Sequence, residues 1–380
     1  MSSPNILLAA GEPSGDLHGA AVAAALKRRW PDARLYGLGG PRMAAEGVEL
    51  LADPRRLAVM GFVEVVARLP FFLRLLRRVG EEMLERRTDL VLPIDYPGFN
   101  LRLSRMAREA GVPVLYYIAP QVWAWHRSRV QQLAEFTDRL AVILPFEEAL
   151  FREAGADARF VGHPLLDSPA PATSREDLCR QANLRPDRPI LALFPGSRAQ
   201  EVTRHLPVFL ETARRVRARR PGLQPVIAAS EMIPRRTYEG LPFPRLTDSR
   251  ALLRHAHAAL VKSGTATLEA ALAGTPMVIA YRTHPLTYWL ARRLVRVPSI
   301  GLVNLVAGER IACEFVQGAA TPAALTDALV PLLDPDAAER REALIALRRV
   351  RASLMAPGDG TCGAAERVAA LAAELLAGAG

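Results

Sequence analysis

Four short stretches set polar or charged side chains beside glycine turns at the ends of apolar runs. The first, Asp95-Tyr96-Pro97-Gly98-Phe99-Asn100, follows the apolar run that ends at Ile94. A carboxylate at the carboxyl end of a parallel strand faces the crevice where ligands bind. There it can take a proton from a hydroxyl, a role that contributes a factor of about 10²–10⁴ in rate. A turn or helix cap asks for the same residue type, so both readings of Asp95 stand. Gly11-Glu12-Pro13-Ser14-Gly15-Asp16 follows the run from Asn5 to Ala10. Its glycines permit a tight turn, and free N–H groups at a helix start can meet a polar ligand. Ser14 or Asp16 as a plain N-cap explains the stretch equally well. It is no Walker loop, because no Lys-Ser/Thr pair follows.

Phe194-Pro195-Gly196-Ser197-Arg198 offers a glycine turn and a fixed positive charge. That suits a diphosphate, because Arg donates paired hydrogen bonds. Ser263-Gly264-Thr265-Ala266-Thr267-Leu268-Glu269 follows another apolar run. Its N–H groups and helix start suit phosphate, and Glu269 suits ribose hydroxyls. Two such loops on separate strand ends strengthen the phosphate reading. Gly37-Leu38-Gly39-Gly40 lacks the full dinucleotide fingerprint and reads as a turn. Trp123 and Trp125 suit a sugar or lipid wall, or equally a core between domains. His255-Ala256-His257 has no Cys, Asp or Glu partner set, so no metal site is expected.

Val59 to Arg87 is of another kind. Phe62, Phe71, Phe72 and Leu75 alternate there with Arg74, Arg77 and Arg78. This composition fits a helix lying in a membrane surface. An amphipathic helix packed on its own sheet looks the same.

These residues need a scaffold, and the chain alternates strand-like and helix-like segments to supply one. In the first half, strands are expected at Asn5 to Ala10, Ala33 to Leu38, Asp89 to Ile94, Val112 to Ile118, Leu140 to Leu144 and Ala158 to Val161. Helices are expected at Leu17 to Trp30 and Leu101 to Glu109. Five prolines between His163 and Pro189 break the pattern. Strands resume at Ile190 to Phe194, Gln224 to Ala229, Ala258 to Lys262 and Pro276 to Tyr281, with helices at Val208 to Arg219 and Thr267 to Ala273. Continuous apolar strands separated by helices imply parallel sheets covered on both faces. The expected division is a first domain over 1–165, a linker over 166–188, a second domain over 189–340 and helices over 341–380. Whether that tail returns to the first domain is open.

The length of 380 residues fits two such domains. The 49 basic and 39 acidic residues leave a charge of +10, and only Lys27 and Lys262 are lysine. That balance favours polyanionic partners: nucleic acid, anionic lipid or phosphorylated substrates. The arginines are dispersed, with no zinc-finger or RNP-like pattern, so nucleic acid is not expected. Half the residues are hydrophobic and 23% charged, which argues against disorder. No uncharged apolar run reaches the roughly 18 residues of a spanning helix. Met1 to Leu8 has no basic region, so no signal peptide is expected. The widely spaced Cys179, Cys313 and Cys362 suggest a reducing compartment with no disulfide framework.

Ten motifs occur in an order that resembles one family. They are the Gly11, Asp95, Gly196 and Ser263 stretches above, with Gly40-Pro41-Arg42-Met43, Ala58-Val59-Met60-Gly61, Pro120-Gln121-Val122-Trp123-Ala124-Trp125, Leu144-Pro145-Phe146-Glu147, Gly162-His163-Pro164 and Asn304-Leu305-Val306-Ala307-Gly308-Glu309. Together they resemble lipid-A-disaccharide synthase, an inverting glycosyltransferase of Gram-negative bacteria. The resemblance implies the GT-B fold: two Rossmann-like α/β domains facing a cleft, with a helical tail. It implies transfer of a sugar from UDP-2,3-diacylglucosamine to 2,3-diacylglucosamine 1-phosphate, giving a β-1,6-linked disaccharide and UDP. It places the base at Asp95 and has Glu12 and Ser14 shape the sugar or acceptor site. It places Arg198, Ser263, Gly264, Thr265, Glu269 and Asn304 near the donor. No metal or cofactor is implied. Such lipid substrates imply a cytoplasmic enzyme peripheral on the inner membrane, which favours the membrane reading of Val59 to Arg87. One departure is that many members carry a second acid where this chain has Gly98. Other UDP-sugar enzymes of this fold, a UDP-N-acetylglucosamine 2-epimerase or the lipid-II-forming transferase, lack the ordered motif set. A nucleic-acid-binding protein is the rival outside enzymes.

Overall fold

The computed structural model describes residues 3–52, 69–121, 127–167, 169–284, 288–289, 298–358 and 362–378. The chain forms two compact units, Met1–Ser168 with Leu354–Gly380, and Pro169–Ser353. In the first, seven strands form one sheet: β1 (Asn5–Ala10), β2 (Arg34–Leu38), β3 (Glu49–Leu50), β4 (Leu90–Ile94), β5 (Leu115–Tyr117), β6 (Arg139–Val142) and β7 (Ala158–Phe160). Their order is β3-β2-β1-β4-β5-β6-β7, and every pairing is parallel. Side chains alternate across a strand. Ile6 and Leu8 of β1 therefore enter one core with Val22 and Leu26, while Leu7 and Ala9 enter another with Val79, Met83 and Leu103.

The helices begin earlier than the apolar periodicity suggests. Helix α1 is Pro13–Arg29, α2 is Pro41–Ala45, α3 is Leu69–Glu85 and α4 is Pro97–Glu109. Pro13, Pro41 and Pro97 each open their helix. Proline fits there because its fixed φ is helical and a helix start does not use the missing N–H.

The second unit holds β8 (Ile190–Phe194), β9 (Gln224–Ala228), β10 (Arg245–Leu246), β11 (Ala258–Lys262), β12 (Met277–Tyr281) and β13 (Glu314–Val316). Their order is β10-β9-β8-β11-β12-β13, again all parallel. Helix α5 (Ala199–Arg219) starts nine residues before Val208 and runs through Pro207. An interior proline costs about 3 kcal/mol. The helix continues because Val202, Leu206, Phe209, Ala213 and Val216 bury one face across the interruption. Helix α6 (Ala266–Ala273) follows β11.

Two expected boundaries move. Within the expected linker, helix Arg175–Gln181 buries Leu178 and Cys179 and belongs to the second unit. Residue 341 falls inside helix Ala338–Ser353, which also stays with the second unit. The chain re-enters the first unit at Leu354. Its last helix, Ala364–Gly378, packs Ala364, Val368, Ala369 and Ala372 into the core of Ile6, Leu8, Val22 and Leu26. Asp167 caps that helix by accepting from Ala364 N at 3.0 Å and Ala365 N at 3.2 Å. Arg139 pairs with Glu374 at 2.6 Å.

Candidate active site

Each sheet reverses its strand order once, between β1 and β4 and between β8 and β11. Ligands bind beyond the carboxyl ends of strands at such switch points. All four reactive stretches follow these four strands.

In the first unit, β4 delivers Asp95. Asp95 and Tyr96 both take left-handed backbone, with φ of 48° and 52°. Such geometry is unfavourable by about 1–3 kcal/mol per residue and persists only when surroundings impose it. Here Asp95 N donates to Tyr117 O at 3.0 Å. The Asp95 carbonyl accepts from Asn100 Nδ2 and from the Tyr116 hydroxyl, each at 2.7 Å. Asn100 Nδ2 also reaches Ala9 O at 3.0 Å and Ile94 O at 3.3 Å, tying β1 to β4. Asn100 Oδ1 is buried without a hydrogen-bond partner among the described residues. The Tyr96 ring lies where a Cβ on residue 11 would stand, 2.4 Å away, so Gly11 is required there.

Burial pushes the Asp95 carboxyl up to about 6, the charge of Glu12 adds to the rise, and a backbone hydrogen bond from Tyr96 opposes it. A carboxylate of that kind is ionised at neutral pH yet more basic than an ordinary one. Glu12 and Ser14 are exposed at the start of α1. Glu12 is the N-cap position, but its side chain makes no cap bond. Asp16 caps a different helix from its own. Its carboxylate accepts from Gly40 N at 2.8 Å, Met43 N at 3.0 Å and Arg42 N at 3.2 Å, at the start of α2. Gly40 has to be glycine, since a Cβ would lie 2.6 Å from that carboxylate. A Cβ on Gly98 would meet nothing within 4 Å, so the position of the missing second acid is open space.

In the second unit, a cavity of about 580 Å³ opens at the ends of β8 and β11. Gly196, Arg198, Glu201, Lys262, Gly264, Thr265 and Glu269 line it, with Ser230 and Thr247. Glu201 anchors one side. It accepts from Ser197 N at 3.1 Å and Arg198 N at 3.3 Å and pairs with Lys262 at 2.8 Å. Its carboxyl sits below the usual range: burial pushes it up, but Lys262 and the two amides outweigh that. Glu269 is pushed up by burial, with Arg250 opposing. Glu201 and Lys262 escaped the sequence reading, although both lie within four residues of its motifs.

Two expected donor residues are placed differently. Ser263 is buried, and its hydroxyl donates to Ile300 O at 2.7 Å, so it braces the loop. Asn304 is buried and does not line the cavity. Its Nδ2 donates to Ala312 O at 2.9 Å and to Glu314 at 2.7 Å, and its Oδ1 accepts from Ile311 N at 3.0 Å and Ala312 N at 2.9 Å. Its hydrogen-bonding capacity is used within the fold.

The segment expected to face a membrane divides. Phe62, Trp123 and Trp125 lie outside the described residues. Leu75, only 6% exposed, joins Val79 and Met83 in the core under α3, which corrects its expected lipid contact. Phe71 and Phe72 are half-buried and pack on the same core. The helix period explains this, because residues three and four apart share one face. The outer face carries Arg74, Arg77, Arg78 and Leu73, the last 52% exposed. Among the described residues, no helix is long and apolar enough to cross a membrane.

Two all-parallel α/β units with loops at their switch points make up the GT-B fold. Similarity to solved structures supports the fold: CalG4, the calicheamicin glycosyltransferase, superposes with a TM-score of 0.63 at 19% identity, covering 99% of each chain. Residues 6–356 match the lipid-A-disaccharide synthetase family, and the chain belongs to it. The lipid-A-disaccharide synthase of Myxococcus xanthus is 43% identical over 384 residues, 98% of each chain. That of Syntrophus aciditrophicus is 43% identical over 387 residues, 99% of each. Membership makes the chain a glycosyltransferase of lipid A biosynthesis and does not favour the epimerase, lipid-II and nucleic-acid readings.

Proposed function

We propose that the protein transfers the 2,3-diacylglucosaminyl group of UDP-2,3-diacylglucosamine to the 6-hydroxyl of 2,3-diacylglucosamine 1-phosphate, with inversion. The acceptor oxygen attacks the anomeric carbon and gives its proton to the Asp95 carboxylate. The bond from that carbon to the diphosphate breaks, and its electron pair leaves on UDP. The observation that carries this reading is Asp95 itself: a basic, partly buried carboxylate on a braced turn at a sheet switch point. Glu12 adds to the burial that keeps that carboxyl basic, and Ser14 contributes to the acceptor surface. Arg198, Gly264, Thr265 and Glu269 receive the donor. Arg198 and the starts of α5 and α6 offset the leaving charge, with no metal ion needed.

The exposed face of α3 supports docking on an anionic lipid surface, the cytoplasmic face of the inner membrane. Each of Arg74, Arg77 and Arg78 contributes about 1 kcal/mol near such a surface. The decisive experiment gives the protein both acylated substrates in detergent, with and without a chelator, and follows products by mass. Disaccharide phosphate and UDP in equal amounts, insensitive to chelation, are expected. Folded protein that binds UDP but forms no disaccharide refutes the reading.

A further inference from the structure

Lys262 is one of two lysines among 49 basic residues. It ends β11 and lines the donor cavity. Its Nζ donates to Glu201 Oε1 at 2.8 Å and lies 5.8 Å from the centre of the Tyr281 ring. It is 3.5 Å from where a Cβ on Gly264 would stand, so the bare glycine leaves the ammonium open to an incoming group. The Lys262 side chain is only 17% exposed, and that of Glu201 18%. An ammonium has three donors, and Glu201 takes one of them. Glu201 keeps two backbone amides of its own, from Ser197 and Arg198, whichever way Lys262 turns.

We propose that Lys262 donates to the diphosphate of the bound nucleotide sugar and stabilises the charge it gains as the glycosidic bond breaks. Glu201 holds the ammonium in place for that contact. This rests on the reading of the cavity as the donor site. Charge supports it. The cavity presents Glu201, Glu231 and Glu269 against Arg198 and Lys262, so an entering diphosphate needs both cations. Arg198 is exposed, whereas Lys262 is mostly withdrawn from water, where a charged contact is stronger. The acceptor proton still goes to Asp95.

The test compares dissociation constants for UDP and uridine, by ligand-observed NMR titration, in the wild type, Lys262→Met and Lys262→Arg. Lys262→Met is expected to lose about 10–100-fold in UDP affinity, the worth of one charged hydrogen bond, with uridine unchanged. Lys262→Arg recovers most of the loss. Turnover should show a raised donor KM and a lowered kcat in Lys262→Met. If circular dichroism finds Lys262→Met unfolded, Lys262→Gln takes its place. An unchanged UDP constant, or an equal loss for both ligands, overturns the proposal and leaves Lys262 as a brace for Glu201. A wild type with no preference for UDP over uridine is a separate outcome that removes the donor reading itself.

Discussion

Replacing Asp95 by Asn should stabilise the first unit while it stops the reaction. The Asp95 carboxyl sits at about 6 in the fold against an ordinary 3.8, mainly through burial and then through Glu12. The fold therefore favours its protonated form. The stability of that form is fully present below pH 3.8 and is lost as pH rises through 6. One pKa unit is about 1.4 kcal/mol, so ionised Asp95 costs the fold about 3 kcal/mol at pH 8 and about half that at pH 5. Asn has the same shape and never ionises. Asp95→Asn should gain up to that amount at pH 8, about half at pH 5 and only about 0.5 kcal/mol at pH 4. Urea unfolding followed by circular dichroism, run on both proteins at the three pH values, measures the difference. Transfer should fall by at least about 100-fold with UDP binding intact. A variant less stable at pH 8, or with a gain independent of pH, refutes the burial reasoning. A stabilised variant that still turns over refutes the base assignment alone.

Four further outcomes follow from the geometry. In the wild type, kcat/KM should fall with a one-proton slope as pH drops through about 6, where Asp95 takes up its proton; a flat profile from pH 5 to 8 contradicts this. Gly98→Asp should fold normally in its open space, and its like charge should move that acid limb to higher pH; chemical denaturation and the same pH profile check both points. On α3, Leu75→Ala should cost about 2–5 kcal/mol of stability. Reversing Arg74, Arg77 and Arg78 to Glu should leave stability nearly unchanged and weaken binding to anionic vesicles, read by co-sedimentation; equal vesicle binding returns that face to plain solvent.

Much of the fold was legible because parallel strands buried on both faces appear as unbroken apolar runs, as at Leu90–Ile94 and Ile190–Phe194. Helix starts were legible less well. Pro13 and Pro97 begin helices that were expected to start only at Leu17 and Leu101, and Pro207 sits inside one. The Asp95 motif was legible as a strand-end carboxylate, but not its basicity. That comes first from burial that only the packed sheet supplies and then from Glu12, 83 residues earlier in the chain. The glycine loops after β8 and β11 were legible from glycine and charge, yet a lone lysine and a helical glutamate carry no local mark. Glu201 and Lys262 are 61 residues apart and meet only across β8 and β11.

The sequence by itself determined the class of fold, the order of motifs and the placement of Asp95 and Arg198 on strand-end loops. Local patterning is enough for these, since period, turn residues and strand ends are all read within a few positions. Tertiary structure alone decided that the tail closes the core of the first unit and that Leu75 faces that core. It also decided that Asn304 and Ser263 brace loops, and that Lys262 lines the cavity at the ends of β8 and β11. Each of these depends on which distant surface a side chain meets. Burial and hydrogen-bond partners are properties of that meeting and cannot be read from a residue's neighbours along the chain.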